Sequence, residues 1–279
     1  MQKIFERRLV GERALFKGHD LHIIDSVFAD GESPLKESEN LLIENSSFQW
    51  KYPLWYVKNA DLRNCMFFET ARAAIWYTDN VSLTGILYAA PKGFRRTKHI
   101  RMNGVNFSNA SETLWNCEDI EMQDISVKGD YFAMNSENIR TEGLHLVGNY
   151  AFDGCKNIEI HNSKLISKDA FWNCENVEIY DSYISGEYLG WNSKNVTLMN
   201  CTIESLQGFC YMNNVVLKNC NLLNTTLAFE YSTVDAEVTS HIDGVKNPIS
   251  GKIMAKGIGE LIFDDPKIDK SKTKISTVE

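Results

Sequence analysis

No apolar run in the 279-residue sequence approaches the roughly 20 residues that a membrane-crossing helix needs. The N-terminal stretch MQKIFERRLVGERALF lacks the apolar core and small-residue cleavage site of a secretory signal. A cytoplasmic protein without a membrane partner is therefore expected. A concentrated basic stripe is also missing, and the net charge is −8 with a pI near 5.4. That balance argues against a nucleic-acid partner. The seven cysteines include no close CxxC pair, and the six histidines fall at different phases of the repeat described below, so no metal site is expected. With no phosphate-cradling glycine loop and no nucleophile elbow, no cofactor is expected either.

What the sequence does contain is one unit repeated along nearly its whole length. A short polar residue precedes each "apolar-x-apolar" run at Asp20, Asn40, Asn59, Asn80, His99, Asp119, Asn138, Asn157, Asn176, Asn195, Asn214 and Thr233. The steps are 19 to 21 residues. That period is too short for helix-pair repeats, and the apolar residues alternate as in strands, which points to a parallel solenoid. Parallel connections are strongly right-handed. The expected fold is all-β: a right-handed single-stranded parallel β-helix of roughly 11–12 coils with about 19 residues per coil.

Each unit opens with a strand whose inward pair is apolar, as in Leu41/Ile43, Val81/Leu83, Ile158/Ile160 and Val215/Leu217. A corner follows, commonly Asn-Ser, Asp-Ser or Asn-Cys (Asn45-Ser46, Asp181-Ser182, Asn200-Cys201), because Asn and Asp tolerate left-handed backbone angles. Then come an inward residue such as Phe48, Phe67 or Ile184, a bend, and an aromatic segment. Cysteine interchanges with serine at two repeat phases, as a small buried slot permits, so the cysteines read as reduced packing residues. The expected organisation is a single β-helix domain over 1–264. Within it, 1–19 form an N-terminal cap, 20–233 the regular coils and 234–264 a last coil or cap. The charged segment 265–279 reads as a flexible tail.

Four fragments are distinctive: Gly11-Glu12-Arg13-Ala14-Leu15-Phe16, Gly31-Glu32-Ser33-Pro34-Leu35-Lys36-Glu37, Tyr52-Pro53-Leu54-Trp55-Tyr56 and Lys246-Asn247-Pro248-Ile249-Ser250-Gly251. With the repeat, they resemble a bacterial family of right-handed parallel β-helix proteins in the pectin-lyase-like superfamily, a family without an established activity. The resemblance spans essentially the full length and implies the fold. Superfamily relatives act on polysaccharides, but the paired-aspartate and His-Gly motifs of polygalacturonases have no counterpart here. No set of aspartates matches the calcium site of pectate lyases. The resemblance therefore transfers no active site.

The aromatic segment carries the functional question. One column contains Leu35, Leu54, Ile75, Phe94, Leu114, Ala133, Phe152, Phe171, Gly190 and Phe209 and should face inward. The next contains Lys36, Trp55, Trp76, Arg95, Trp115, Met134, Asp153, Trp172, Trp191 and Cys210, and the charges in it place the column outward. Lys36, Trp55, Trp76, Trp115, Trp172, Trp191 and Arg96 are thus candidate ligand-binding residues, with indole faces offered to pyranose rings. Arg95, Asp153 and Asp169 are candidate catalytic residues, as a cation for a developing enolate and as carboxyls for acid–base work. The expected function is binding of an oligosaccharide, a polysaccharide or a similar extended ligand, with a lyase or hydrolase as its catalytic form. Three alternatives remain open: the rings stack structurally, the face is a homo-oligomer interface, or the phase is off by one residue and the tryptophans point inward.

Overall fold

The computed structural model describes residues 1–278 and contains strands and turns with a single short 3-10 turn, Lys270–Lys272. It is a right-handed parallel β-helix of about 15 turns. The chain divides into two compact units, Met1–His145 and Leu146–Glu279.

In the first unit the long strands are Gln2–Phe5, His19–Ile24, Glu39–Glu44, Lys58–Arg63, Asp79–Thr84, Lys98–Asn103, Glu118–Gln123 and Glu137–Glu142. All pair parallel and in register, for example Leu21 with Leu41 and Val81 with Ile100. In the second unit Lys156–His161, Glu175–Tyr180, Lys194–Met199, Asn213–Leu223, Thr233–Val238, Ser250–Ala255 and Thr273–Thr277 also pair parallel, with one register shift between Leu217 and Cys220.

Both ends depart from the sequence reading. Residues 1–19 are a coil and not a cap, because Gln2–Phe5 pairs in register with His19–Ile24. Most of the expected mobile tail is also built: Thr273–Thr277 pairs with Ser250–Ala255, setting Ile253 beside Ile275. Lysines at every second position hid an alternating strand. Glu279, the last residue of that segment, lies outside the described residues.

The polar markers work as expected. Asp20, Asn40, Asn59 and Asn80 all have φ between 53° and 58°. Their side chains form a ladder in which Asn40 Nδ2 donates to Asp20 Oδ1 (3.0 Å), Asn59 to Asn40 (3.0 Å) and Asn80 to Asn59 (2.9 Å). The ladder gives each αL residue a partner one coil away, so the corner chemistry and the coil stacking support each other. His99 interrupts it, lying 2.6 Å from Asp79 Oδ1 and 3.4 Å from Asp119 Oδ2. The Asp79 carboxylate raises the His99 pKa above its usual value.

The interior is a stack of rings. Phe28, Phe48, Phe67 and Tyr88 follow one another at 4.7, 4.6 and 4.5 Å between centroids, within about 21° of parallel. In-register coils impose this spacing, because identical positions repeat at the strand separation of about 4.8 Å. All seven cysteines are free and buried, in keeping with small-slot packing.

The distinctive fragments also serve architecture. Gly31 has φ +140°, and a side chain there would run into the Gly11 carbonyl, so the two glycines let adjacent bends touch. The Pro34 and Pro53 carbonyls accept from the amides of Leu15 and Leu35. Asn247 is buried at φ 42°; its Nδ2 donates to Asp264 Oδ1 (2.6 Å) and its Oδ1 accepts from the Asp264 amide (3.1 Å). That residue anchors the chain beyond Ile262 to the preceding coil.

Candidate functional site: the aromatic face

The phase assignment holds. Leu35, Leu54, Ile75, Phe94 and Leu114 are fully buried, while Trp55, Trp76 and Trp115 beside them are half-buried and face outward. At Ile75–Trp76 and Phe94–Arg95 the extended backbone turns successive side chains to opposite faces. Immediately after the column the chain bends at αL residues Glu37, Tyr56, Tyr77, Arg96 and Asn116.

In the first unit the rings form a closed ladder. Trp55 and Trp76 stack at 5.2 Å and 5°. The Arg95 guanidinium lies between Trp76 and Trp115, 4.6 and 4.8 Å from their rings. Each indole N–H is also used: Trp55 donates to the Ala73 carbonyl (2.6 Å), Trp76 to Lys92 (2.8 Å) and Trp115 to Tyr131 (2.7 Å). These acceptors all lie at the bend of the next coil. Arg95 reaches the same place by another route, to Glu112 Oε2 at 3.4 Å. Lys36 sits over Tyr56 and Arg96 over Tyr77, flanking a second stacked pair, Tyr56 and Tyr77 at 4.8 Å. Indole faces in this unit are therefore turned to one another and not outward to a sugar ring.

The second unit is different. Phe152 and Phe171 are buried and stack at 5.1 Å, and Trp172 and Trp191 again point outward. Here the outward rings are splayed: Trp172 and Trp191 are tilted 35° at 6.1 Å, and Trp191 and Tyr211 42° at 4.5 Å. Tyr150 and Tyr188 meet the tryptophans edge-on. Cys210, which the column placed outward, is buried, and Trp191 packs against the next residue, Tyr211, which is 43% exposed.

Beside this row lies a surface cavity of about 260 Å³ lined by Lys156, Asn173, Glu175, Asn192, Lys194 and Tyr211. Asn192 Nδ2 donates to Asn173 Oδ1 (2.9 Å) and Asn173 Nδ2 to Asp153 Oδ1 (2.9 Å). Lys194 pairs with Glu175 at 2.8 Å. Sequence reasoning missed Asn173, Asn192 and Tyr211. The signal was present in their position one residue past the tryptophan column.

The three catalytic candidates do not form one constellation. Arg95 belongs to the first unit's ladder. Asp153 holds the amide row. Asp169 lies at the αL bend, φ 58°, and is 2% exposed. Burial pushes the Asp169 carboxyl above its usual value, opposed by nearby Lys168 and by a hydrogen bond from Tyr150. Lys168 itself pairs with Glu187 at 2.7 Å. Among the described residues no group of three or more metal-ligating side chains occurs.

The family model described as "Protein of unknown function (DUF3737)" matches residues 2–276. The chain belongs to the DUF3737 family. Among solved structures, this DUF3737 protein is similar to the surface protein and adhesin PfbA of Streptococcus pneumoniae, at 8% identity over 99% of this chain and 91% of that one, TM-score 0.44. A second PfbA structure gives 9% identity over 93% and 86%, TM-score 0.39. The catalytic domain of a GH87 alpha-1,3-glucanase in complex with tetrasaccharides gives 10% identity over 99% and 64%, TM-score 0.29. No curated protein matches. Likeness at this level carries no activity across to the DUF3737 chain.

Proposed function

We propose that the protein binds a carbohydrate along the aromatic face of its second unit. The observation that carries this reading is the conjunction of splayed, half-exposed rings (Trp172, Trp191, Tyr211) with a cavity edged by the Asn192 and Asn173 amides, the latter held by Asp153. Pyranose rings offer apolar faces to aromatic rings and rows of hydroxyls to planar amides. Each amide in the row spends one N–H on its neighbour and keeps a second. Parallel coils repeat the arrangement every 4.8 Å or so, which suits an extended ligand. In the first unit the closed ladder is the stacking alternative, and Lys36, Trp55, Trp76, Arg95, Arg96 and Trp115 act there as architecture.

Glycan-array screening and tryptophan fluorescence titration test the proposal. Tyr211→Ala and Asn192→Ala are each expected to weaken oligosaccharide binding about tenfold, the loss of one ring or hydrogen-bond contact. No response to any oligosaccharide, or binding indifferent to both substitutions, would refute it.

A further inference from the structure

Asp169 is the carboxyl that the fold buries most deeply among the described residues, and Oδ1 makes no hydrogen bond within the protein. Tyr150 hydrogen-bonds to the same carboxyl. The position is unusual for such burial. Equivalent αL bend residues in the first unit, Ser33, Tyr52, Lys92 and Glu112, keep their side chains partly in solvent. The Lys168–Glu187 pair, whose side chains are 50% and 43% exposed, is near enough to act electrostatically on the Asp169 carboxyl, and surface side chains of this kind move readily. Trp172 stands three residues on, and its indole N–H is fixed on the Tyr188 carbonyl at 2.7 Å.

A buried acceptor without a partner lowers stability; Tyr88, Arg95 and Thr141 also bury a polar atom without one, but Asp169 is the one carboxyl among them, and such a cost is retained where a ligand completes the site. We propose that Asp169 is the hydrogen-bonding anchor for a ring hydroxyl of a neutral saccharide, reached when the Lys168–Glu187 pair swings aside. This rests on the carbohydrate reading of the second unit and names its ligand class. The Tyr150 hydrogen bond restrains the carboxyl. The neutrality of the ligand follows from the surrounding charge: Lys156, Lys168 and Lys194 are balanced by Asp153, Glu175 and Glu187. No net positive charge draws a uronate, and an ionised Asp169 repels one.

The test is calorimetric titration of the full chain with neutral hexasaccharides (cello-, xylo-, malto- and laminari-series) and with oligogalacturonate. Wild type is expected to bind one of the neutral series in preference to oligogalacturonate. Asp169→Ala should weaken that binding at least tenfold while the melting temperature stays level or rises, and Asp169→Asn, which keeps an acceptor oxygen, should restore most of it. Glu187→Gln, a substitution at an exposed position, should speed association severalfold by loosening the Lys168–Glu187 pair. Binding that is sensitive to Tyr211→Ala but indifferent to Asp169→Ala overturns this inference alone. Preference for oligogalacturonate overturns the ligand class. Absence of all saccharide binding overturns the inference together with the reading beneath it. An Asp169→Ala chain that fails to fold also overturns it, since the carboxyl would then be structural, and the Glu187→Gln association rate provides a second check on a folded protein.

Discussion

Phe67→Ala is expected to destabilise the first unit by about 3–5 kcal/mol, read as a lowered midpoint in denaturant unfolding. Phe67 is fully buried and lies in the middle of the ring stack, 4.6 Å from Phe48 and 4.5 Å from Tyr88. Removing the ring takes away its transfer free energy and leaves a gap between two rings. That gap cannot close by collapse. The Cα positions of Phe48, Phe67 and Tyr88 are held in register by strand pairing, Phe48 with Phe67 and Tyr88 with Phe67. The Phe68 amide donating to the Phe48 carbonyl (3.0 Å) and the Ala89 amide donating to the Phe67 carbonyl (2.8 Å) fix the spacing further. Phe67→Leu retains most of the apolar volume and should cost clearly less. Equal losses for the two substitutions would mean that stacking geometry, and not cavity formation, sets the stability of the interior.

Trp76→Ala is expected to cost about 2–3 kcal/mol, somewhat below the value for a fully buried tryptophan because its ring is half-exposed. It removes the stack on Trp55, the cation–π contact with Arg95 and the hydrogen bond to the Lys92 carbonyl in one step. Trp76→Phe keeps a ring in the ladder but has no N–H for Lys92, so an intermediate loss is expected. Neither substitution should change saccharide binding in a folded sample. The contrast with Tyr211→Ala, which should reduce binding with little loss of stability, separates ladder from site. If Trp76→Ala abolishes binding while leaving the unfolding midpoint unchanged, the assignment of the two aromatic faces is reversed.

The sequence displayed the coil because its periodic elements are local: an Asn or Asp corner, an alternating apolar pair and a buried ring recur at one spacing. The same periodicity sorted Phe171 from Trp172, the first buried and the second outward. It failed where the spacing changed. After Thr233 the pairing steps are 17 residues to Ser250 and then 22 from Gly251 to Thr273, so the last strands fell out of phase with the polar markers. Ring orientation was hidden for a different reason. Whether an outward tryptophan offers its face depends on its neighbours one coil above and below and on the bend carbonyl that takes its N–H. Trp76 and Trp191 occupy the same column yet differ in both. Asp169 was legible as a charge near the bend but not as a buried one, since the polar residues of its column, such as Ser33, Lys92 and Glu112, are partly solvated.

In-register pairing has a consequence for how the chain acquires its structure. Lys156 pairs with Glu175, Glu175 with Lys194 and Lys194 with Asn213, so successive partners are 19 residues apart. Most β proteins must close long loops before their strands meet, which slows folding. Here every strand finds its partner one short loop away. Within each unit, order can start at any rung and spread by zippering to the next. Amide exchange should accordingly be slowest in the middle rungs of each unit and quicken toward the rung at either end, a gradient of protection and not a single cooperative value.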